Sequence, residues 1–206
     1  MTSLPVIKEG FFMQSKKVRI MVEGAVMLAL ATALSFIQIY KLPWGGSITL
    51  LSMLPIVLFS IRRGVAMGLA VSFLFSLIQL FQGIMDGLFG WGLTPGMLVA
   101  CIFIDYIFAF TVLGLAGVFR KKGTAGWISG IAIAIALRFV MHFLSGVVIW
   151  KSFGELWEGF STDSSVLYSI LYNGSYMLPE LIITVIAAVI LLNVPEVRKL
   201  FRPDED

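Results

Sequence analysis

Long apolar runs alternate along this chain with short polar breaks, and most of the runs have the length that crosses a bilayer. The pattern predicts six spans, approximately Arg19 to Tyr40, Ile48 to Ile61, Val65 to Phe81, Leu93 to Phe119, Ala125 to Trp150 and Val166 to Val194. A helix needs about 20 residues to cross the hydrocarbon, so the second run is short and its ends are uncertain from sequence. The expected fold class is an all-α integral membrane protein with six transmembrane helices. It forms one membrane domain over residues 1–206, with short tails at about 1–18 and 195–206.

Charge adds orientation. Twelve of the fifteen Lys and Arg residues fall in four clusters: Lys8/Lys16/Lys17/Arg19, Arg62/Arg63, Arg120/Lys121/Lys122 and Arg198/Lys199/Arg202. The positive-inside rule places all four in the cytoplasm, and with them both termini. The segments Lys41 to Ser47, Asp86 to Trp91 and Lys151 to Asp163 then face outward, with only Lys41 and Lys151 set against Asp86, Glu155, Glu158 and Asp163. Composition agrees: 59% hydrophobic and 13% charged residues exclude an ordinary soluble domain. The basic excess follows membrane topology, so no nucleic-acid partner is expected. A single cysteine, Cys101, excludes a disulfide within the chain, and no Cys/His zinc motif exists; Cys101 reads as a small core residue. The N-terminus lacks a short apolar core with a small-residue cleavage site, so the first helix is expected to direct insertion itself.

Polar residues inside the spans carry the chemistry. On the fifth, Arg138, His142, Gly146 and Trp150 recur every four residues and share one helix face, with Gly146 leaving a notch. An Arg at that depth costs at least about 2.5 kcal/mol against lipid, so it must find a carboxylate, for which Asp105 and Glu180 are the candidates, or a wet cavity. The sixth span repeats the spacing with Tyr168, Tyr172, Tyr176 and Glu180, beside Asn173 and Pro179. Together with Asp105 and Tyr106 these stripes predict a pocket in the outer half of the bundle. Aromatic faces attract cations, a carboxylate adds charge complementarity, and an amide reads a heterocycle edge. The expected ligand is a small, flat, cationic organic molecule.

Other features keep two readings each. Trp44 in the first outer loop, and Trp157 and Phe160 in the loop from Lys151 to Ser165, serve either as lids or as interfacial anchors. Ala25, Ala29 and Ala33 form a small-residue ladder that suits either association with another helix or packing within the bundle. Glu23 is close enough to the inner surface to reach water, Lys17 or Arg19, and reads as structural. The ten Met residues read as packing.

The segments Glu23 to Ile37, Leu54 to Gly64, Ile104 to Gly117, Arg138 to Trp150 and Tyr168 to Gly174 carry a resemblance that covers nearly the whole chain. The sequence resembles the thiamine-specific substrate-binding (S) component of energy-coupling factor (ECF) transporters. That resemblance implies a subunit of the bacterial plasma membrane that captures thiamine or an analogue from outside. It works with a transmembrane T subunit and two ATPase subunits and has no catalytic activity or cofactor of its own. In keeping with this, the chain has no GxxxxGK[ST] phosphate loop. By matching motifs, the implied binding residues are Trp44, Tyr106, His142, Gly146, Trp150, Tyr168 and Asn173, together with Asp105. The implied T-subunit surface is Ala25, Ala29 and Ala33. Asp105 departs from the family pattern, which has Glu; it withdraws the carboxylate by about 1.5 Å, roughly one carbon–carbon bond. The alternatives are an S component for another flat vitamin or precursor, a stand-alone carrier using Asp105 or Glu180 for protons, and a membrane-embedded enzyme using His142 with Asp105.

Overall fold

The structure, a computed structural model, describes residues 5–42, 45–152 and 154–200, with side chains from residue 16 onward. The first element, α1 (Pro5–Ser35), starts inside the stretch expected as a tail. A hairpin of β1 (Gln38–Lys41) and β2 (Ser47–Thr49) follows, then α2 (Leu54–Arg63), α3 (Val65–Met85), α4 (95–122) and α5 (123–150). A second hairpin of β3 (Gly154–Trp157) and β4 (Phe160–Thr162) leads into α6 (Ser165–Asn193) and the short α7 (Pro195–Leu200). Both hairpins are antiparallel, with Lys41 opposite Ser47 in the first and Gly154 opposite Thr162 in the second.

Among the described residues, four helical stretches are long and apolar enough to cross a membrane: Lys16–Ser35, Val65–Met85, Pro95–Trp150 and Ser165–Asn193. The third runs for 56 residues, and drawn straight it would extend about 84 Å, far beyond any bilayer. It folds back instead. Phe119 leaves helical geometry (φ −100°, ψ 20°), Gly123 takes φ +68° where a side chain would be strained, and Trp127 Nε1 donates to the Arg120 carbonyl at 2.7 Å. The stretch is therefore the antiparallel pair α4 and α5.

The second crossing corrects the expected helix from Ile48. Only its inner half is helical. The ten residues of α2 span about 15 Å, starting with Pro55 in the first turn, where a missing N–H costs nothing. Residues 45–53 descend through the outer half without forming a helix. Such backbone is tolerated at membrane depth only where protein buries it or it lines a cavity, and both conditions hold. The Thr49 backbone N–H and its hydroxyl both donate to Glu180 Oε1 on α6, the hydroxyl at 2.7 Å. Ser52 Oγ lies 2.7 Å from the same hydroxyl. The first span is also shorter than expected: α1 ends at Ser35, and residues up to Lys41 turn outward into β1.

Basic clusters gather at one end, which the positive-inside rule assigns to the cytoplasm. There Glu23 on α1 pairs with Arg62 (Nε at 2.7 Å) and with Arg63. This corrects the expected partners Lys17 and Arg19, because α2 brings its own basic end against α1. In the middle of the bundle, glycines let backbones touch: a Cβ on Gly114 of α4 would fall 2.4 Å from the Leu69 nitrogen of α3. Around this contact, Phe59, Phe75, Leu113 and Ile131 complete a fully buried core. α4 is irregular, with a π-helical stretch at Ile102–Phe108 inserted before a 3-10 stretch at Val112–Lys122. π-Helical turns concentrate at functional sites, and this one carries Asp105 and Tyr106.

Candidate ligand-binding site

A cavity of about 530 Å³ opens in the outer half of the bundle, within the range of small-molecule sites. Its walls come from the segment after β1, from α3, α4, α5 and α6, and from the outer loops. Seven of the eight residues expected to bind ligand are Asp105, Tyr106, His142, Gly146, Trp150, Tyr168 and Asn173, and all seven line it. Trp44 lies outside the described residues.

Asp105 is the hub. Its Oδ1 accepts from His142 Nδ1 at 3.0 Å, while Oδ2 accepts from the Ser145 hydroxyl, from Trp150 Nε1 at 3.3 Å and from the Cys101 thiol at 3.3 Å. Two features of the backbone make this possible: Cys101 sits one turn before Asp105, and α5 itself ends in a π-helical stretch, Gly146–Trp150. A carboxylate only accepts, so His142 Nδ1 carries the proton and, in the neutral ring, Nε2 keeps its lone pair. That Nε2 is buried and, among the described residues, has no hydrogen-bond partner. Cys101, expected as a core residue, is fully buried but belongs to the shell that holds the carboxylate.

The two expected stripes do face each other. Ser169 on α6 donates to the Phe143 carbonyl at 2.9 Å, and Asn173 Nδ2 donates to the His142 carbonyl at 3.3 Å. Gly146 permits this closeness, since a Cβ there would lie 2.2 Å from Ser169 Oγ. Asn173 is heavily engaged: Nδ2 also bonds the Ser169 carbonyl at 2.9 Å, and Oδ1 accepts from Tyr176 at 2.8 Å. It therefore ties α5 to α6 as well as lining the cavity. Tyr168 stacks on Tyr172 at 6.2 Å and 17°, and Tyr172 meets Tyr176 edge-on at 6.0 Å. Opposite them, Trp150 tilts against Trp91 at 5.6 Å.

Of the two surroundings expected for Arg138, a carboxylate partner or a cavity, the structure shows the cavity, whose wall it joins. Among the described residues it makes an ion pair with neither Asp105, which His142 and Ser145 occupy, nor Glu180, which Thr49 occupies. Its guanidinium lies 4.2 Å from the Phe110 ring centroid, with Nη1 3.0 Å from Met53 Sδ. Cation–π contact replaces a salt bridge. The charged side chains lining the cavity are Asp86, Asp105, Arg138 and Lys151, and it is the Asp105 carboxylate together with the aromatic faces that suits a cationic guest.

Outer loops close the mouth. Lys41 Nζ pairs with Asp86 at 2.9 Å, joining the first hairpin to the end of α3. Gly45 lies close enough to Trp91 that a Cβ would sit 3.1 Å from its ring, and the Gly46 N–H donates to the Tyr172 hydroxyl at 3.4 Å. Trp157 and Phe160 pack on each other in the second hairpin at 5.9 Å, exposed and away from the cavity wall, which, among the described residues, that loop reaches through Lys151 and Ser152. The alanine ladder is exposed: Ala25, Ala29 and Ala33 face away from the bundle, whereas Gly24 and Ala31 are buried.

Sequence reasoning missed several wall residues: Gln38, Gln79 and Gln82, the clamp Thr49 and Ser52, and Trp91. A signal existed for α3, where Gln79 and Gly83 interrupt an apolar helix at four-residue spacing.

The sequence profile of the thiamine transporter protein family (Thia_YuaJ) matches residues 21–199. The chain belongs to that family. It is similar to the thiamine transporter ThiT of Bacillus subtilis (strain 168), 31% identical over 205 residues that span 90% of this chain and 97% of that protein. ThiT of Lacticaseibacillus paracasei is 25% identical over 199 residues, 88% of this chain and 90% of the relative. The fold aligns with a solved structure of ThiT from Listeria monocytogenes at a TM-score of 0.68 and 27% identity, covering 90% of this chain and 98% of that one. As a member of the thiamine transporter family, the protein has a transport role in the membrane rather than an enzymatic one.

Proposed function

We propose that this protein is the thiamine-capturing S component of an ECF-type importer in the cell membrane. The observation that carries the reading is the cavity itself: aromatic walls around a half-buried carboxylate hub, beneath outward-facing loops. Thiamine is flat, has a cationic thiazolium ring and presents a polar aminopyrimidine edge, so each wall has a counterpart on the ligand. Family membership supports the same substrate. Trp150 and the tyrosines supply ring faces, and Asp105 supplies charge while fixing His142.

The energising partners are a transmembrane T subunit, which docks on the exposed Ala25, Ala29 and Ala33 face of α1, and two ATPase subunits. Small side chains in a lipid-facing helix let another helix approach closely, and this ladder is turned outward. ATP hydrolysis in the partners drives release to the cytoplasm. Proteoliposomes separate this from a stand-alone carrier. Thiamine uptake is expected only when partner subunits and internal ATP are present, and uptake by this chain alone under a proton gradient would overturn the ECF assignment.

A further inference from the structure

Among the described residues, three nitrogens in the cavity wall are buried and lack a protein partner: Arg138 Nε, His142 Nε2 and Gln79 Nε2. The first two sit on the expected stripe of α5. Gln79 comes from α3, a helix from which the sequence pattern drew no site residue. Its direction is set by its neighbours one turn either side. Phe75 is fully buried and meets Phe110 edge-on at 5.7 Å. Gly83 takes the Tyr106 ring, whose hydroxyl lies 2.2 Å from where a Cβ would stand. The Phe75–Gln79–Gly83 face therefore looks inward. Nearby, Gln82 spends its amide on Ser35 Oγ at 2.9 Å, so one glutamine of the pair is committed to the protein and the other is not.

A buried amide end without a partner is destabilising, and that cost is removed when an acceptor reaches it. We infer that Gln79 is a ligand-reading residue, donating a hydrogen bond from α3 to an acceptor atom of the guest. This rests on the thiamine reading above; in thiamine the acceptors are the pyrimidine ring nitrogens and the hydroxyl oxygen. A site built this way gains selectivity as well as affinity, because an analogue lacking the acceptor leaves the amide stranded. Gln79 also brings a fifth element, α3, into ligand recognition, beside the first outer loop, α4, α5 and α6.

Gln79→Met tests the inference, since Met keeps the unbranched length and removes the amide. Two readouts are taken on purified, ligand-free protein in detergent: thiamine Kd by Trp fluorescence and the thermal midpoint Tm. The expected result is a Kd weakened about 5- to 100-fold, the range for stranding one buried hydrogen bond. The ligand-free Tm should be unchanged or raised, because an unsatisfied buried group has been removed. Gln79→Leu should give the same pair of results with a different shape. A Kd within twofold of the parent would overturn the assignment. So would a lowered ligand-free Tm or loss of folded protein in both variants, the outcome of an amide that serves the fold. A parent chain that itself fails to bind thiamine overturns the substrate reading and this assignment with it; a parent that binds while both variants bind equally overturns the assignment alone.

Discussion

Asp105 receives hydrogen bonds from four side chains, and no other carboxylate among the described residues has so many donors aimed at it. The shortened side chain is matched by its surroundings: Ser145 and Cys101 hold one oxygen and His142 holds the other. In the proposed capture of thiamine its carboxylate would act largely by charge and through the orientation of His142 and Trp150. Asp105→Asn removes the charge and puts a donating NH₂ in place of one acceptor oxygen, so either His142 changes tautomer or a hydrogen bond of the hub is lost. We expect a loss of about 1–3 kcal/mol in stability and thiamine binding weaker by at least about tenfold, one decade per 1.4 kcal/mol. Thermal melts and fluorescence titration of the variant check both. The positions of Arg138, His142, Gly146 and Trp150 were legible because four-residue spacing is a direct statement about a helix face. Roles were less legible. Nothing in the spacing says that Arg138 rests on Phe110, or that Asn173 spends its amide between two helices, since both depend on which groups arrive from other elements.

At the scale of elements, the second crossing marks the limit of hydropathy. An apolar run from Ile48 to Ile61 reads as one span, but Gly45, Gly46, Thr49 and Ser52 form the extended half that lines the cavity, and only Glu180, 131 residues further along, supplies the bond that holds Thr49. Short β-hairpins escape the same pattern because their polar residues look like ordinary loops. The first of them forms a latch with α3 through Lys41 and Asp86, whose side chains are 46% and 39% exposed. An exposed pair contributes about 0.2–1 kcal/mol, so breaking it should change rates modestly. Lys41→Asp is expected to speed thiamine dissociation up to about fivefold in stopped-flow fluorescence, and the charge-swapped Lys41→Asp/Asp86→Lys pair should restore the parent rate. Unchanged dissociation in the single variant would remove the latch from the account.

For the whole molecule, composition and charge clustering were sufficient for the membrane class, the helix number and the common location of the basic ends. Two long spans hidden in one 56-residue helical stretch were separable because Arg120, Lys121 and Lys122 interrupt the apolar sequence there. The partner surface belongs to this scale too. Ala29→Trp and Ala33→Trp place bulk on the exposed face of α1, remote from the cavity. Both should abolish co-purification with the T subunit while leaving the thiamine Kd within about twofold; a complex that survives both changes would rule out this face as the docking site.

The central claim is that the cavity captures thiamine with high affinity. Its most direct test is a thiamine titration of the purified, ligand-free, detergent-solubilised protein by intrinsic Trp fluorescence, with Trp150→Ala in parallel. Trp150 and Trp91 sit 5.6 Å apart in the wall, so an occupied cavity must perturb their emission. The account predicts saturable quenching at sub-micromolar thiamine, weakened at least tenfold by the loss of Trp150. A folded, ligand-free protein that shows no saturable response to thiamine would contradict it.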